Sequence, residues 1–593
     1  MSQFGSSSLF YSRRIGRPPQ GGVDTDASGA DDQNEYLKPN QSTTILGAAK
    51  LSGKNKKGFS WALLESVTQK EFVEVDSAGH KRHEVVEPFT NYFVSRAQQD
   101  INKGNTVIGA MFTAVNRRID DQSLRWLHSE AYSGGVDLLH HWKKRAYYVS
   151  ARMVMSHVKG SKEAIANTQL SSERFFQRPD NHHTEFDPNR TSLTGTGGQL
   201  LIGKKSGNIV SDLGVAWQSP ELELNDIGFM PQTDNISQWF WMQYRVLQPK
   251  GITRSRRFNI NQWSEFDFGG RNLNEGYNIN AHAMFKNFWN SGGGITYRVR
   301  SASNGDLRGG PSLRYPGGVY FWMYTSTDNR KKLAVEIGPE LGFGRDDYSR
   351  SVNMYMDITY RPTNALNISL SPSVSVDKNQ MQYVATADDS GQERFVVAQI
   401  DQTTVRVVMR ATYMVTPNLS IQYYGQPFGT AGKYTNFKVI EDADARAYKD
   451  RYHSVSPTSL LLNGDGQYNV DEDLDGMPEY SLENPISISD SFVPISLSGG
   501  NTYRVQRSFS CGRASETAPF TITRQTIRVV LVLISISGVT MCFCSSTRTG
   551  SACSKSATCR LIDGLIVQDK ERDGFVTPLL VDCRHGRRKI ERA

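Results

Sequence analysis

Apolar and polar side chains alternate along most of this chain. In Ser351 to Pro362 (SVNMYMDITYRP), Val352, Met354, Met356, Ile358 and Tyr360 share one parity; Asn353, Tyr355, Asp357, Thr359 and Arg361 share the other. A helix mixes two such sets because its side chains recur every 3.6 residues, whereas a strand keeps them on opposite faces. A run of about ten residues is also the length with which a tilted strand crosses a bilayer. The pattern returns repeatedly. Tyr147, Val149, Ala151, Met153 and Met155 stand opposite Ser150, Arg152 and Ser156. Tyr277, Ile279, Ala281, Ala283 and Phe285 oppose Asn278, Asn280, His282 and Lys286. Val405, Val407, Met409, Ala411, Tyr413 and Val415 face away from Arg406, Arg410 and Thr412.

Counting such segments predicts about twenty strands between residues 43 and 500. Short turns such as Pro362 to Asn364 alternate with longer loops such as Gly305 to Gly317. Arg298, Arg300, Arg406 and Arg410 sit in mid-strand on the polar face, where a wet lumen would accept them. The fold class this predicts is all-β: a large antiparallel transmembrane β-barrel with polar loops. A propeller would show a blade period of about 40–50 residues, and none is found. The expected plan is a lead-in at 1–42 that folds in the lumen, a barrel at 43–500 and a tail at 501–593. An insert at 159–198 interrupts the barrel with a helix-compatible run, Ser161 to Gln169.

Composition changes this picture little. The chain has 593 residues and a mean hydropathy of −0.49. No stretch approaches the about 18–20 apolar residues of a helical span; Ile527 to Val539 is broken by Arg528, Ser535 and Ser537. A barrel wall needs apolar residues on one face only, so its average hydropathy stays polar. The net charge of +8 comes from 68 basic and 60 acidic residues that are scattered. No recognisable binding module accompanies them, so nucleic acid is not an expected partner. Met1 to Leu9 has neither the basic start nor the apolar core of a signal peptide, so the natural signal is expected to lie outside this sequence. All six Cys follow residue 510 (Cys511, Cys542, Cys544, Cys553, Cys559, Cys583), and Tyr and Trp vanish after Phe520. A disulfide-bonded domain or a zinc site competes here with a tail read in a shifted frame. The last accounts for the compositional break in one step and is the expectation.

Candidate chemistry is sparse. Asp471, Asp473, Asp475 and Gly476 resemble the opening of a calcium loop, with oxygens at alternate positions and a turning glycine; Leu482 stands where the bidentate glutamate would be. Calcium is the one cofactor this suggests. His182 and His183 lie near Asp180, Glu185 and Asp187, a set read as a polar loop surface in preference to a metal site. Arg13, Arg14 and Arg17 form the densest early basic cluster, and with Arg298, Arg300, Arg406 and Arg410 they are the candidate ligand-binding residues. No GxSxG elbow, P-loop or HExxH is present. Ser150, Ser156 and His282 are the polar-face candidates for a hydrolytic site, and an enzyme is the less favoured reading.

Several segments resemble a bacterial outer-membrane family catalogued as a domain of unknown function. They are LFYSRRIGRPP (Leu9 to Pro19), ILGAAKLSGK (Ile45 to Lys54), VEPFTNYFVSRAQQDINKGNTVIGAMFTAVNR (Val86 to Arg117), SHVKGS (Ser156 to Ser161), SSERFFQRPD (Ser171 to Asp180), YYGQPFGTAGKYTNFK (Tyr423 to Lys438) and DEDLDG (Asp471 to Gly476). In that family a family-9-type carbohydrate-binding domain precedes the region. The resemblance implies a barrel in the outer membrane of a Gram-negative-type bacterium that binds or passes a solute, glycan-related on this ground alone. The alternatives are a membrane-anchored hydrolase with a lumen or wall site, and a structural anchor for the carbohydrate-binding domain. Outer-membrane lipid, carbohydrate and the barrel-assembly machinery are the implied partners.

Overall fold

A computed structural model describes residues 7–23 and 35–485 apart from 39, 78–79 and 418, with short backbone segments at 3–4, 495–499, 503–507 and within the tail. Two units divide between Gly512 and Arg513. The expectation of a shifted-frame tail falls almost wholly outside the described residues.

In the first unit the alternating segments are strands. Nineteen of them, from Ile45–Lys54 to Phe428–Ile440, form one continuous antiparallel ladder. Near its end Gln392–Thr416 serves two partners in tandem, Leu419–Gly425 and Phe428–Ile440. The polar stretch after Gln69 is a separate hairpin, Glu71–Ser77 with His80–Glu87, which Glu35–Lys38 joins.

The expectation of a closed transmembrane barrel is corrected. The neighbour order runs as a ring through 495–499 and 503–507, but among the described residues no run of registered residue pairs links 503–507 to 45–54, so the ladder is not a continuous wall there. Among the described residues, Ile45–Lys54 is in residue-by-residue register with Phe59–Thr68 alone. Strand Tyr503–Arg507 is in register with Ile495–Gly499, which lies along Leu419–Gly425 with Tyr424 and Ser496 as its registered pair. The backbones of 503–507 and 45–54 do not run side by side along their lengths as every registered pair does. Ile45–Lys54 is accordingly exposed along nearly its whole length, with Ile45, Leu46 and Leu51 open to solvent. Alternation specifies which residues become strands and which face each presents. It carries no information on the register between a first and a last strand, and that register decides closure. Without a closed wall no pore is defined, so the expected passage of a solute is set aside with the barrel.

The two faces of the ladder differ as the alternation requires. On one, Ile260, Ile279, Ile295, Phe321 and Leu341 lie directly across from one another on five successive strands, all exposed. On the other, amides form a chain. The Asn259 amide donates to Asn280 Oδ1 at 2.6 Å, Asn280 donates to Asn278 Oδ1 at 2.5 Å, and Asn278 donates to Thr296 Oγ1 at 2.8 Å.

Glycine opposite tryptophan is a recurring device of this sheet. Gly53, Gly198, Gly214, Gly276 and Gly294 pair directly with Trp61, Trp217, Trp239, Trp263 and Trp322. The indole lies over the bare backbone, so a Cβ added at Gly214 would meet the Trp239 ring at 2.2 Å. Such cover restores packing that a strand glycine lacks. Gly214→Val is expected to cost about 1–3 kcal/mol by overpacking, read as a lower denaturant midpoint at unchanged slope; an unchanged midpoint would show that the indole swings clear.

Besides a small cluster of Val73, Val75 and Val86 in the side hairpin, apolar cores among the described residues gather at two places. One joins Leu9 of the lead-in, Tyr92, Val115 and Val158 of the strands, Ile165 of the insert and Leu222 and Met230 of the 219–234 loop. The other two clusters share the Leu366–Asp389 and Gln392–Thr416 hairpin with the 441–483 region, through Val396, Val439, Val470 and Leu482 and through Met381, Val397 and Tyr448.

Candidate functional site

The insert supplies an enclosed polar site. Ser161 caps the helix Lys162–Leu170, its Oγ accepting from the Ala164 N–H at 3.0 Å. Gln169 exchanges two 2.9 Å hydrogen bonds with the Asp187 backbone and ties the following loop to the helix. The SSERFFQRPD segment then meets the 219–234 loop. Arg174 donates to Glu223 Oε2 at 2.5 Å and to the Leu222 carbonyl at 3.2 Å. The Thr233 N–H donates to the Glu173 carbonyl at 2.9 Å. Ser156 Oγ accepts from the Glu223 N–H at 2.9 Å, which anchors that loop to the sheet.

Between these segments lies a cavity of about 360 Å³ whose walls include Glu173, Arg174, Asp234, Glu265, Asn274 and Arg298. Several buried polar atoms of its lining have no protein partner: Nε and Nη1 of Arg174, Nε of Arg298, and Oδ1 of Asn274 and Asn304. Buried donors and acceptors in this state call for water or a polar guest. The cavity is thus chemically suited to a small hydroxyl- or carboxyl-bearing molecule.

Beside it is a buried ionic network. His183 Nε2 lies 2.9 Å from both oxygens of Asp234, which also accepts from the Phe268 N–H at 2.9 Å. His183, Asp234 and Asp267 are close enough to share a metal ion. Arg178 Nη2 stands 3.6 Å from Asp234, however, and Arg271 pairs with Asp180 at 3.0 Å. The guanidiniums already supply the positive charge a cation would bring, so this cluster reads as a loop clamp. A second network joins Arg117, Asp226 and His128, with Asp226 at 2.5 Å from Arg117 and 2.9 Å from His128. Burial raises the Asp226 carboxyl, but His128 and Arg117 outweigh it and hold it well below the usual carboxylate range.

The expected site residues do not converge. Arg13 is exposed. Arg14 donates to the Gly228 carbonyl at 3.1 Å and to Asn225 at 3.2 Å. Arg17 is held down from its ordinary pKa by burial and by Arg117. Arg298 lines the insert cavity with its guanidinium 5.3 Å from the Tyr320 ring centre. Arg300 pairs with Glu275 at 3.1 Å. Arg406 lines a separate, more open cavity of about 820 Å³ with Tyr320, Trp322, Glu340 and Asp377. Arg410 lies over Tyr424, 5.1 Å from its centre. Of the acidic loop, Asp471 and Asp473 come together with Glu479, and Asp475 is not in that group. Ser156 is spent on Glu223, and His282 contacts Tyr324 and Asn280, so these two form no nucleophile–base pair. Sequence reasoning missed Arg174, Glu223, Asp234 and Glu479. Only Glu479 left a legible signal, as the ninth residue counted from Asp471.

Fold and site together define a large antiparallel β-sheet protein with one apolar face, one polar face and a loop-built polar cavity. Residues 1–469 match the family described as Domain of unknown function (DUF5916), and the chain belongs to that family. No curated protein matches it. Among solved structures it is similar to the siderophore receptor PirA from Acinetobacter baumannii, at 8% identity and a TM-score of 0.33 over 73% of this chain and 78% of that one. It is also similar to the alcaligin outer membrane receptor FauA from Bordetella pertussis, at 9% identity and a TM-score of 0.29 over 78% and 71%. Likeness at these scores carries no argument about shape or role.

Proposed function

We propose that this protein works at a lipid surface, in the outer membrane of a bacterium, with the apolar face of its sheet against hydrocarbon. The observation that carries this reading is the exposed row Ile260, Ile279, Ile295, Phe321 and Leu341. The row does not stand alone. Leu333 and Tyr360 pair across neighbouring strands, Tyr360 pairs with Ile368, and Val374 pairs with Val405, all exposed. An apolar surface of that continuity marks a contact with lipid or protein. Lipid is favoured because the surface extends over many strands and its exposed members are mostly large aliphatic and aromatic side chains. No helix among the described residues is long and apolar enough to cross a membrane, so any lipid contact falls to strands. The free edge at Ile45–Lys54 must be met by water or by a further strand, since hydrocarbon offers its backbone no partner. The polar face and the insert cavity then remain available to a polar ligand.

The test is flotation with phospholipid vesicles after extraction from membranes in detergent. The wild-type chain is expected to float and to resist high-salt washing. Ile279→Arg combined with Ile295→Arg is expected to lose about 2–4 kcal/mol per charge at the lipid face and to stay at the bottom of the gradient. A wild-type chain that is soluble and monodisperse without lipid or detergent ends this reading.

A further inference from the structure

The loop Asp471 to Glu479 has a feature that the ionic networks of the insert lack. Asp471, Asp473 and Glu479 present carboxylate oxygens within 4.8 Å of one another. Among the described residues none of these three, nor Asp475, is paired with a Lys, Arg or His. Like charges gathered without a counter-charge repel. The contrast with His183, Asp234 and Asp267, which have Arg178 beside them, is direct.

A second observation is independent of the acidic count. Asp471 is only 6% exposed, and its Oδ1 is buried without any hydrogen-bond partner. Its Oδ2 accepts from the Gly476 N–H at 2.9 Å, which aims the carboxylate across the turn that the glycine closes at φ 93°. A buried, unmet carboxylate oxygen is costly unless a donor or cation faces it.

We infer that Asp471, Asp473 and Glu479 form a calcium site. Hard oxygen ligands at loop positions 1, 3 and 9, a glycine at 6 and a backbone carbonyl at 7 (here Met477) are among those a calcium loop uses. Position 12, the usual bidentate glutamate, is Leu482, which is 2% exposed in the core with Val396 and Val439. Glu479 stands in for it from the near side. Its Oε2 already accepts from the Glu472 N–H at 2.8 Å, so the side chain is held in place. The loop joins two antiparallel strands, Gln467–Val470 and Tyr480–Glu483, so the cation would close that hairpin over Val470, Tyr480 and Leu482.

The full chain in detergent, stripped with EDTA and exchanged into metal-free buffer, is titrated with calcium chloride by calorimetry. One saturable site is expected, with a dissociation constant on the order of 10⁻⁴–10⁻³ M and a calcium-dependent rise in melting temperature. Asp473→Asn and Glu479→Gln keep shape and hydrogen bonding and should each weaken binding at least about tenfold, whereas Asp465→Asn, on a neighbouring turn, should not. Absence of saturable heat, equal affinity for magnesium, or full binding by both variants overturns the assignment.

Discussion

Asp226→Asn is expected to destabilise the protein by about 3–5 kcal/mol, the usual cost of removing one partner from a buried ion pair. Arg117, whose side chain is 1% exposed, would be left with the His128 carbonyl, at 3.0 Å, as an acceptor. Arg17 adds to the positive charge around it. The pH dependence follows from the same pair. The Asp226 carboxyl is held below its ordinary value of 3.8 in the folded protein. A depressed carboxylate contributes stability that is fully present above the unfolded value and is lost as pH falls through the folded one. Wild type should therefore lose stability steeply below about pH 4, while the variant starts lower and has a flatter acid limb. Denaturant midpoints measured from neutral to acid pH in both proteins check this. Parallel limbs would mean that Asp226 is not the titrating group.

Gly195→Val is expected to detach the 219–234 loop. A Cβ at Gly195 would lie 2.1 Å from the Leu222 amide nitrogen and 2.3 Å from its Cα. Both are backbone atoms that no rotamer change can move. The loop brings Glu223 to Arg174 and Asp234 to His183, so its displacement would open the insert cavity while leaving most of the sheet ladder intact. A cost of about 3 kcal/mol should fall on the loop, seen as lost amide protection at 219–234 in hydrogen exchange while strands such as Asn272–Phe285 stay protected. Uniform loss across all strands would show that the loop is part of the global folding unit.

Strand identity was legible wherever one face is apolar. The Tyr147 to Met155 alternation emerges as Tyr147–Gly160, with Met153 and Met155 exposed on the expected face and Ser156 buried on the other. Ser161 to Gln169 emerges as the helix Lys162–Leu170. The pattern failed at two places where a strand changes surroundings along its length. Ala365 to Val376 and Met381 to Thr386 read as two strands but are one, Leu366–Asp389. Arg394 to Asp401 and Thr403 to Thr416 likewise merge into Gln392–Thr416. The polar residues Asp377 to Gln380 and Asp401 to Gln402 resemble turns because both faces are polar there. Closure was not legible, since it depends on how two ends of the chain approach each other. The insert site was hidden for a related reason: Arg174 and Glu223, or Arg178 and Asp234, are tens of residues apart and follow no period.

Those two merged strands have 24 and 25 residues. At about 3.4 Å per residue they reach about 80 Å, more than twice the about 30 Å depth of a hydrocarbon layer. Their exposed apolar side chains, Ile368, Leu370, Val374, Val376 and Val405, occupy one half, whereas Met381, Ala387, Val396, Val397 and Ala398 are buried by protein in the other. If the exposed face meets lipid as proposed, a single hairpin would serve two solvents in succession, oil beside its root and a compact protein headpiece around its tip. The waterline on this molecule would fall near Asp377, where one environment hands over to the other.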